Sequence, residues 1–170
     1  VRKNKLYFIQ KKMCVDVLME DLFVSSDEKW IEFLLNQIFI NAIKYAKNEG
    51  AHLKISQKNN DKKVSLIIED NGIGIKSSEV SRVFEKGFTG SNGRIQGIEG
   101  KNKATGIGLY LCSQLCEKLN LGITCESKEN EFTRVTLVFP DSKFMEILQK
   151  WKIHEIKYDT KENLKIVNSF

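Results

Sequence analysis

Asp70-Asn71-Gly72-Ile73-Gly74-Ile75 directly follows a run of alternating apolar and polar residues, at the point where a predicted strand ends. A second pair of glycines, Gly106 and Gly108, opens a predicted helix, and nine of the eleven glycines lie between Gly72 and Gly108. Glycine adopts backbone angles that other residues avoid and lets a ligand approach the main chain closely. We therefore predict a pocket for a phosphate-bearing ligand, with the Asp70 carboxylate beside a flat, hydrogen-bonding group, as in a nucleotide.

The composition is that of a single globular domain. A chain of 170 residues can bury a core without metals or cross-links, and the charged (29%) and hydrophobic (41%) fractions are ordinary for a soluble protein. The net charge of +5 is spread along the chain. Because there is no basic stripe with interleaved aromatic residues, nucleic-acid binding is not indicated.

The cysteines indicate a reduced, cytosolic chain. There are four of them, none in a CxxC pair: Cys14, Cys112, Cys116 and Cys125. Cys112 and Cys116 lie four residues apart on a predicted helix, where we expect two small core residues on one face. His52 and His154 lie at no spacing that suits a metal site. No apolar run approaches the roughly 20 residues that span a bilayer.

Apolar periodicity predicts helices and strands around the glycine motifs. Ser25-Ser26-Asp27-Glu28 is a helix-start signature, and we expect this helix to run to about Asn48, with Gly50 as a left-handed stop. The other predicted helices cover residues 77–84, 106–119 and 141 to about 151. The predicted strands cover residues 12–18, 52–57, 63–69, 123–127 and 133–139.

The alternation in the strand before the glycine motif predicts where Asp70 lies. Val64, Leu66 and Ile68 would face the core, which aims Asp70 at the same side, just past the strand end. Residues 87–104 contain five glycines and no regular period, as is typical of a functional lid. With no repeats or linkers, the predicted fold is an α/β two-layer sandwich: one mixed sheet with helices on one face.

The helix over residues 27–48 carries a polar stripe at helical spacing, made of Gln37, Asn41, Lys44 and Tyr45. A simply solvated polar face is the alternative explanation. Leu34, Ile38 and Ala42 flank the stripe closely, however, and together with the glycine motifs they favour a functional surface.

Four segments resemble, in order, the sequence boxes of sensor histidine kinases. Residues 35–45 (LNQIFINAIKY) resemble the N box and residues 70–74 (DNGIG) the first glycine box. Residues 83–88 (VFEKGF) resemble the F box, and residues 105–109 (TGIGL) the second glycine box. The resemblance covers about residues 13–140, and residues 105–119 are similar to bacitracin-type, intramembrane-sensing kinases.

The resemblance implies the Bergerat-type ATP-binding fold shared with gyrase, heat-shock chaperone and mismatch-repair ATPases, with a flexible ATP lid. Asp70 would accept a hydrogen bond from the adenine amino group. Asn41 and Gln37 would hold Mg²⁺ through their amide oxygens, and Lys44 would contact phosphate, so that Asn41 and Lys44 form the catalytic pair. Thr133 would assist at the adenine through water.

Further nucleotide contacts follow from the same boxes. The implied residues are Tyr45, Gly72, Gly74, Ile75, Phe84, Lys86, Thr105, Gly106, Ile107, Gly108 and Leu109. Gly106 and Gly108 would let a helix N-terminus meet the phosphates, where unpaired N–H groups favour anions. Lys86, Arg94, Lys101 and Lys103 are candidate phosphate contacts from the lid, of which we favour Arg94.

Gln37 predicts the class of reaction. Hydrolytic relatives of this fold carry a glutamate here as a general base, and glutamine has no titratable carboxylate. The chain is therefore expected to bind ATP, to hydrolyse it poorly, and to transfer its γ-phosphoryl group to a histidine. Kinases of the family more often carry asparagine here, so Gln37 departs from the common pattern, as does Phe132, where glycine is common.

The resemblance also implies partners. The acceptor histidine would lie on a dimerisation hairpin ahead of the ATP domain; His52 is expected at the surface, and His154 lies on the wrong side of the domain. We expect residues 1–11 to end a preceding linker or hairpin, residues 12–152 to form the ATP-binding domain, and residues 153–170 to form a tail. The full-length protein would be a homodimeric plasma-membrane kinase with this domain in the cytoplasm and a response regulator as partner.

Two other hypotheses remain open. A stand-alone ATPase or serine kinase of the same fold is disfavoured by Gln37, and measurable steady-state hydrolysis would revive it. A non-enzymatic interaction module is disfavoured by Asn41, Asp70 and both glycine pairs, and the absence of any ATP affinity would establish it.

Overall fold

In the computed structural model, the described residues are 4–19, 23–60, 63–91, 104–140 and 150–152. The helices are α1 (Lys5–Gln10), α2 (Glu28–Lys44), α3 (Ser77–Val80) and α4 (Gly108–Lys118). The strands are β1 (Cys14–Leu18), β2 (Phe23–Ser25), β3 (His52–Asn60), β4 (Lys63–Asp70), β5 (Gly122–Lys128), β6 (Phe132–Pro140) and β7 (Lys150–Lys152). None of the helices among these residues is both long and apolar enough to cross a membrane.

Five of the strands form one mixed sheet in the order β1-β3-β4-β6-β5. The β1–β3 pair is parallel, whereas the β3–β4, β4–β6 and β5–β6 pairs are antiparallel. Strands β2 and β7 form a separate antiparallel pair. The mixed sheet predicted from the sequence is therefore confirmed, and its register places β4 at the centre.

The core lies between this sheet and helices α2 and α4. Alternate residues of the central strands are buried, and Asp70 continues the buried alternation of Leu66 and Ile68. Cys112 and Cys116 are buried on α4, which confirms their predicted role as small core residues. The prediction that helices cover one face, and that Asp70 points to it, is thus confirmed.

Helix α2 begins where the capping signature predicts. Asp27 is the N-cap residue, and its Oδ1 accepts hydrogen bonds from the Lys29 N–H at 2.9 Å and the Trp30 N–H at 3.2 Å. These bonds satisfy two of the four N–H groups that every helix leaves without an internal partner. The cap fixes the start of the helix that carries the polar stripe.

Replacing Asp27 by alanine should destabilise the domain by about 1 kcal/mol, because both capped N–H groups lose their acceptor. Urea unfolding measures the change. Asp27→Ser keeps a capping oxygen and should stay within about 0.5 kcal/mol of the parent. Equal losses in the two variants would show that the cap contributes nothing.

Several predicted boundaries were wrong by a few residues. Helix α2 ends at Lys44 rather than near Asn48, because the Tyr45 carbonyl accepts the Ile73 N–H at 3.0 Å and the chain turns towards the glycine loop. Gly50 has the expected left-handed φ of +62° but lies beyond the helix end. Helix α4 begins at Gly108, since Gly106 has a φ of +66° that no helix accommodates.

The remaining strands and α3 also differ from prediction at their ends. Strand β1 begins at Cys14 because Lys12 has a left-handed φ of 50°. Strand β3 continues through Asn60, and β5 and β6 each extend by one residue at both ends. Helix α3 ends at Val80, four residues earlier than predicted, and gives way to turns.

Helix α1 and strands β2 and β7 were not predicted as they occur. Helix α1 places Phe8 in the core, where its ring meets that of Phe39 edge to face at 6.0 Å. Strand β7 occupies the end of the stretch predicted as a helix up to Trp151, and it pairs with β2. The rest of that predicted helix, residues 141–149, and the tail 153–170 lie outside the described residues.

Candidate nucleotide-binding site

Asp70 is a buried carboxylate at the end of the central strand, with 8% of its surface exposed. Its Oδ1 accepts the Gly72 N–H at 2.9 Å, and no hydrogen bond from the described residues reaches Oδ2. Burial raises the pKa of Asp70 to about 6, partly offset by the Gly72 hydrogen bond, and the nearby charge of Glu69 raises it further. The site thus offers a desolvated acceptor to a ligand that brings a hydrogen-bond donor.

The glycines after Asp70 are required by close backbone contacts. A side chain at Gly72 would overlap the Tyr45 carbonyl and would lie 2.6 Å from Asp70 Oδ1. Gly74 has a φ of +64°, and a side chain there would overlap the Lys128 carbonyl. The loop therefore lies tightly between the end of α2 and the turn after β5, and only glycine fits at both positions.

Asn71, for which the sequence pattern predicts no role, connects the glycine loop to the start of β3. Its Oδ1 accepts the His52 N–H at 2.8 Å, its Nδ2 donates to the Gly50 carbonyl at 2.8 Å, and its own N–H donates to the His52 carbonyl at 3.1 Å. Its position directly after Asp70 is the sequence feature that could have indicated this role. These three bonds hold the backbone on which Asp70 depends.

The polar stripe lies on α2 and on its C-cap residue, Tyr45. Gln37, Asn41, Lys44 and Tyr45 are all half-buried, beside buried Ile38 and Ala42. Lys44 Nζ lies 5.6 Å from the centre of the Tyr45 ring, and burial raises the pKa of the Tyr45 hydroxyl. Amide oxygens are hard donors of the kind that Mg²⁺ accepts, so Asn41 and Gln37 fit such an ion in chemical type.

Gln37 connects α2 to the N-terminus of α4. Its Oε1 lies 2.9 Å from the position that a Cβ would occupy at Gly108. Gly108 is the first residue of α4, whose free N–H groups and dipole favour an anion. The structure thus brings the N-box residue Gln37 and the second glycine box together, as the resemblance requires of one nucleotide site.

The second glycine box contacts the F box through Gly106 and Gly87. Gly87 donates its N–H to the Gly106 carbonyl at 3.0 Å, and Gly106 packs so closely on the Gly87 backbone that a side chain would overlap it. Thr105 is exposed, and its Oγ1 accepts the Ile107 N–H at 3.4 Å. Ile107 is exposed and Leu109 is half-buried at the start of α4.

The F-box residues Phe84 and Lys86 lie in the turns after α3. Phe84 is half-buried, whereas Lys86 is exposed and lines a surface cavity of about 330 Å³. None of the described residues that line this cavity belongs to the loop after Asp70 or to α2. The predicted phosphate contacts Arg94, Lys101 and Lys103 lie outside the described residues.

Thr133 lies directly beside Asp70, because the two residues are register partners on β6 and β4. Its Oγ1 is 3.1 Å from the hydroxyl oxygen of Ser127, a residue that was not predicted to belong to the site. Ser127 Oγ also accepts the Ile75 N–H at 2.9 Å, so that it links Ile75 to Thr133. Only the strand register could have revealed Ser127, since 52 residues separate it from Ile75.

Four features together indicate the class of the protein. They are a buried aspartate, the glycine loop that follows it, the polar face of α2 and the helix that begins at Gly108. Residues 26–143 match the family described as histidine kinase-, DNA gyrase B- and HSP90-like ATPases. Because that match covers most of the chain, the chain belongs to this family.

Its sequence relatives include sensor kinases of Bacillus, Halalkalibacterium and Staphylococcus. The chain is 31% identical to the sensor histidine kinase YxdK of Bacillus subtilis over 140 residues, which are 82% of this chain and 42% of the relative. It is 35% identical to the sensor protein BceS of Halalkalibacterium halodurans over 140 residues, 82% of this chain and 40% of the relative. It is 35% identical to the sensor protein kinase GraS of Staphylococcus aureus over 126 residues, 74% of this chain and 34% of the relative.

These relatives confirm the predicted resemblance to bacitracin-type sensor histidine kinases. The chain spans about two fifths or less of their length, between 34% and 42%. The fold is similar to that of the mycobacterial sensor histidine kinase MprB, with a TM-score of 0.68 at 20% identity over 82% of this chain and 91% of that one. The nucleotide-free catalytic domain of the histidine kinase ThkA is similar too, with a TM-score of 0.66 at 21% identity over 82% of this chain and 87% of that one.

Proposed function

We propose that this domain binds ATP and donates its γ-phosphoryl group to a histidine on a dimerisation hairpin, from which a response regulator receives it. The observation that carries the proposal is Asp70, a buried carboxylate whose Oδ2 accepts no hydrogen bond from the described residues. Membership of the ATPase family and the sensor-kinase relatives support the same conclusion.

Adenine recognition would rest on the charge of Asp70. An exocyclic amino group donates hydrogen bonds, and a buried bond to an ionised acceptor contributes about 1.5 to 3 kcal/mol. Thr133 lies beside Asp70 on the neighbouring strand and offers a second polar group at the same end of the sheet. The pair would therefore contact the edge of the base, while Gly72 and Gly74 let the loop after Asp70 pack against the Tyr45 and Lys128 carbonyls.

Phosphate binding would rest on α4 and on the polar stripe of α2. The N-terminus of α4 supplies free N–H groups, and the absence of a side chain at Gly108 lets Gln37 lie close to them. Lys44 adds a positive charge, and Asn41 with Gln37 would hold Mg²⁺ through amide oxygens. When bound, Mg²⁺ supplies neutralisation of the phosphate charge, which is the main requirement of phosphoryl transfer.

Gln37 favours transfer over hydrolysis. Its carboxamide cannot take a proton from water, so that it cannot serve as a general base at the position where hydrolytic relatives carry glutamate. The domain would hold ATP until an acceptor histidine arrives. We further propose that the full-length protein is a membrane-anchored homodimer with this domain on the cytoplasmic side, and that residues 12–152 are the ATP-binding unit.

The proposed transfer can be tested with γ-labelled ATP and a purified helical hairpin that bears an acceptor histidine. We expect label on the hairpin that is lost in acid and kept in base, and no label on a hairpin whose histidine is replaced by glutamine. Steady-state release of phosphate into water should stay near background. Rapid release without a hairpin would favour a stand-alone ATPase, acid-stable label would favour a serine kinase, and no ATP affinity would indicate an interaction module.

Asn41→Asp should impair phosphoryl transfer more than base recognition. Asn41 lies on the α2 stripe, away from Asp70 in sequence, and its amide oxygen is a proposed Mg²⁺ ligand. We expect the rate of transfer to fall by roughly tenfold to a hundredfold, the range found when a metal site is disturbed. Affinity for adenosine should change by less than about threefold.

Calorimetric titrations with adenosine and with Mg²⁺–ATP separate the two effects. Asn59→Asp makes the same chemical change at an exposed position of β3 and serves as the matched control. An equal loss of adenosine and Mg²⁺–ATP affinity in Asn41→Asp would contradict the assignment.

A further inference from the structure

Three polar side chains form a row across the end of the sheet. Asp70 on β4 is the register partner of Thr133 on β6, and Thr133 is the register partner of Ser127 on β5. Direct partners on antiparallel strands point to the same face, with Cβ atoms about 4.5–5.5 Å apart. Because Asp70 shares the face of buried Ile68, the whole row lies on the core side of the sheet.

The hydrogen bonds of Ser127 fix where its proton lies. Ser127 Oγ is 2.6 Å from the Phe132 carbonyl, which can only accept, and 2.9 Å from the Ile75 N–H, which can only donate. A serine hydroxyl has one proton and two lone pairs. Its proton is therefore used on Phe132, and one lone pair is used on Ile75.

The direction of the Thr133 bond follows from this count. Thr133 Oγ1 and Ser127 Oγ are 3.1 Å apart, and either atom could donate on distance alone. Since Ser127 has no second proton, Thr133 must donate its own proton to the remaining lone pair. The Thr133 oxygen then presents only lone pairs to the neighbouring Asp70 side of the row.

We propose that Ser127 is a positioning residue that makes Thr133 a hydrogen-bond acceptor and so contributes to the choice of an amino purine over a keto purine. Asp70 and Thr133 become two adjacent acceptors, which suit the two N–H bonds of a 6-amino group and oppose a 6-keto oxygen. The inference rests on the proposed function, because it concerns the base of the bound nucleotide.

Ser127 acts on the glycine loop through the same hydroxyl. The bond from the Ile75 N–H fixes one end of the loop, and the Asn130 N–H fixes Ile73 through its carbonyl at 2.7 Å. The Ser127 side chain thereby joins the glycine loop to the Thr133 hydroxyl. Removal of the Ser127 hydroxyl frees the Thr133 proton to rotate, so that Thr133 can donate to a carbonyl as well as accept.

The test compares ATP with inosine triphosphate, in which a 6-keto oxygen replaces the 6-amino group and N1 carries a proton; the inference places both acceptors on the 6-substituent. We expect Ser127→Ala to lower the ratio of ATP affinity to inosine triphosphate affinity by about three- to tenfold, the effect of one hydrogen bond. Ser127→Thr keeps the hydroxyl and should restore the ratio. Thr124→Ala removes a hydroxyl from an exposed position of the same strand and should leave the ratio unchanged.

A double-mutant cycle excludes a merely structural effect. Thr133→Val should lower the ratio by a similar factor, and Ser127→Ala added to Thr133→Val should lower it no further. If Ser127→Ala does not fold, as judged by thermal melting, Thr133→Val alone decides the matter, and an unchanged ratio in that variant overturns the inference.

The failure of this inference differs from the failure of the proposed function. An equal loss of both affinities in Ser127→Ala, or no change in either, overturns the role of Ser127 while ATP binding by the parent chain stands. A parent chain that binds neither nucleotide overturns the proposed function and the inference with it.

Discussion

Replacement of Asp70 by asparagine is expected to stabilise the ligand-free domain and to weaken nucleotide binding at the same time. Burial raises the pKa of Asp70 from 3.8 to about 6, so the folded state holds the carboxylate less favourably than the unfolded chain does at neutral pH. Asparagine has nearly the same shape, and its oxygen can still accept the Gly72 N–H. The free energy of unfolding should therefore rise by up to about 3 kcal/mol at pH 7.

The same change should reduce affinity for ATP by about tenfold to a hundredfold, because a bond between the base and a charged acceptor is lost. The asparagine side chain would also point its Nδ2 N–H group at the adenine amino group, and two hydrogen-bond donors cannot bond to each other. Thermal melting measures the first effect, with an expected gain of about 4 to 10 °C, and calorimetry measures the second. A variant that is less stable than the parent would show that the Asp70 charge supports the fold instead.

The pH dependence gives an independent check on the same group. The pKa of Asp70 is higher in the folded state than in the unfolded chain. The contribution of Asp70 to the free energy of unfolding should therefore become more favourable as the pH falls from about 6 towards 3.8. The affinity for ATP should fall as the pH drops through about 6, because the carboxylate then takes up a proton. Both the pH dependence of stability and the pH dependence of ATP affinity that come from Asp70 should be absent in Asp70→Asn.

Asp16→Asn is the matched control for Asp70→Asn. Asp16 is exposed and pairs with His52 at 2.8 Å, so its replacement should cost no more than about 1 kcal/mol and should leave ATP affinity unchanged. A similar gain of stability in both variants would mean that the effect comes from net charge rather than from burial.

Gly74→Ala should destabilise the domain far more than Gly50→Ala, although the two glycines have almost the same backbone conformation. Their φ angles are +64° and +62°, so the left-handed conformation costs each alanine about 1 to 2 kcal/mol. At Gly74 the added Cβ also overlaps the Lys128 carbonyl, whereas at Gly50 no atom of the described residues lies within 4 Å of it. The overlap should bring the total cost at Gly74 to about 3 to 5 kcal/mol.

Urea unfolding measures the free energies of unfolding of the two variants. The cost of the left-handed backbone conformation cancels in their difference, which leaves the cost of the overlap with the Lys128 carbonyl. Gly74→Ala should also weaken ATP binding, since the loop beside Asp70 must move, and Gly50→Ala should leave it unchanged. Equal free energies of unfolding for the two variants would show that the backbone after β5 can move without a loss of stability and does not restrain the glycine loop.

The parts of the site that follow local periodicity could be predicted from the sequence. Alternation along β4 was enough to place Asp70 on the core face, and helical spacing was enough to place Gln37 and Asn41 on one stripe of α2. Both inferences need only the geometry of a single element. The capping signature at Asp27 is local in the same sense.

The parts that depend on pairing between distant segments could not be predicted. Ser127 joins the site only because β5 pairs with β6 in one particular register, and nothing near Ser127 in the sequence indicates this. The end of α2 is set by a hydrogen bond from Ile73, which lies on the glycine loop. Strand β7 likewise exists through its pairing with β2, which overrides the local pattern that predicted a helix.

The central claim is that the pocket around Asp70 binds an adenine nucleotide, and one calorimetric titration tests it most directly. The 170-residue chain is titrated with a non-hydrolysable ATP analogue in the presence of Mg²⁺. The predicted result is saturable binding of one nucleotide per chain in the micromolar to sub-millimolar range, competed by adenosine. No heat of binding at millimolar analogue, from a chain that melts cooperatively, would contradict it.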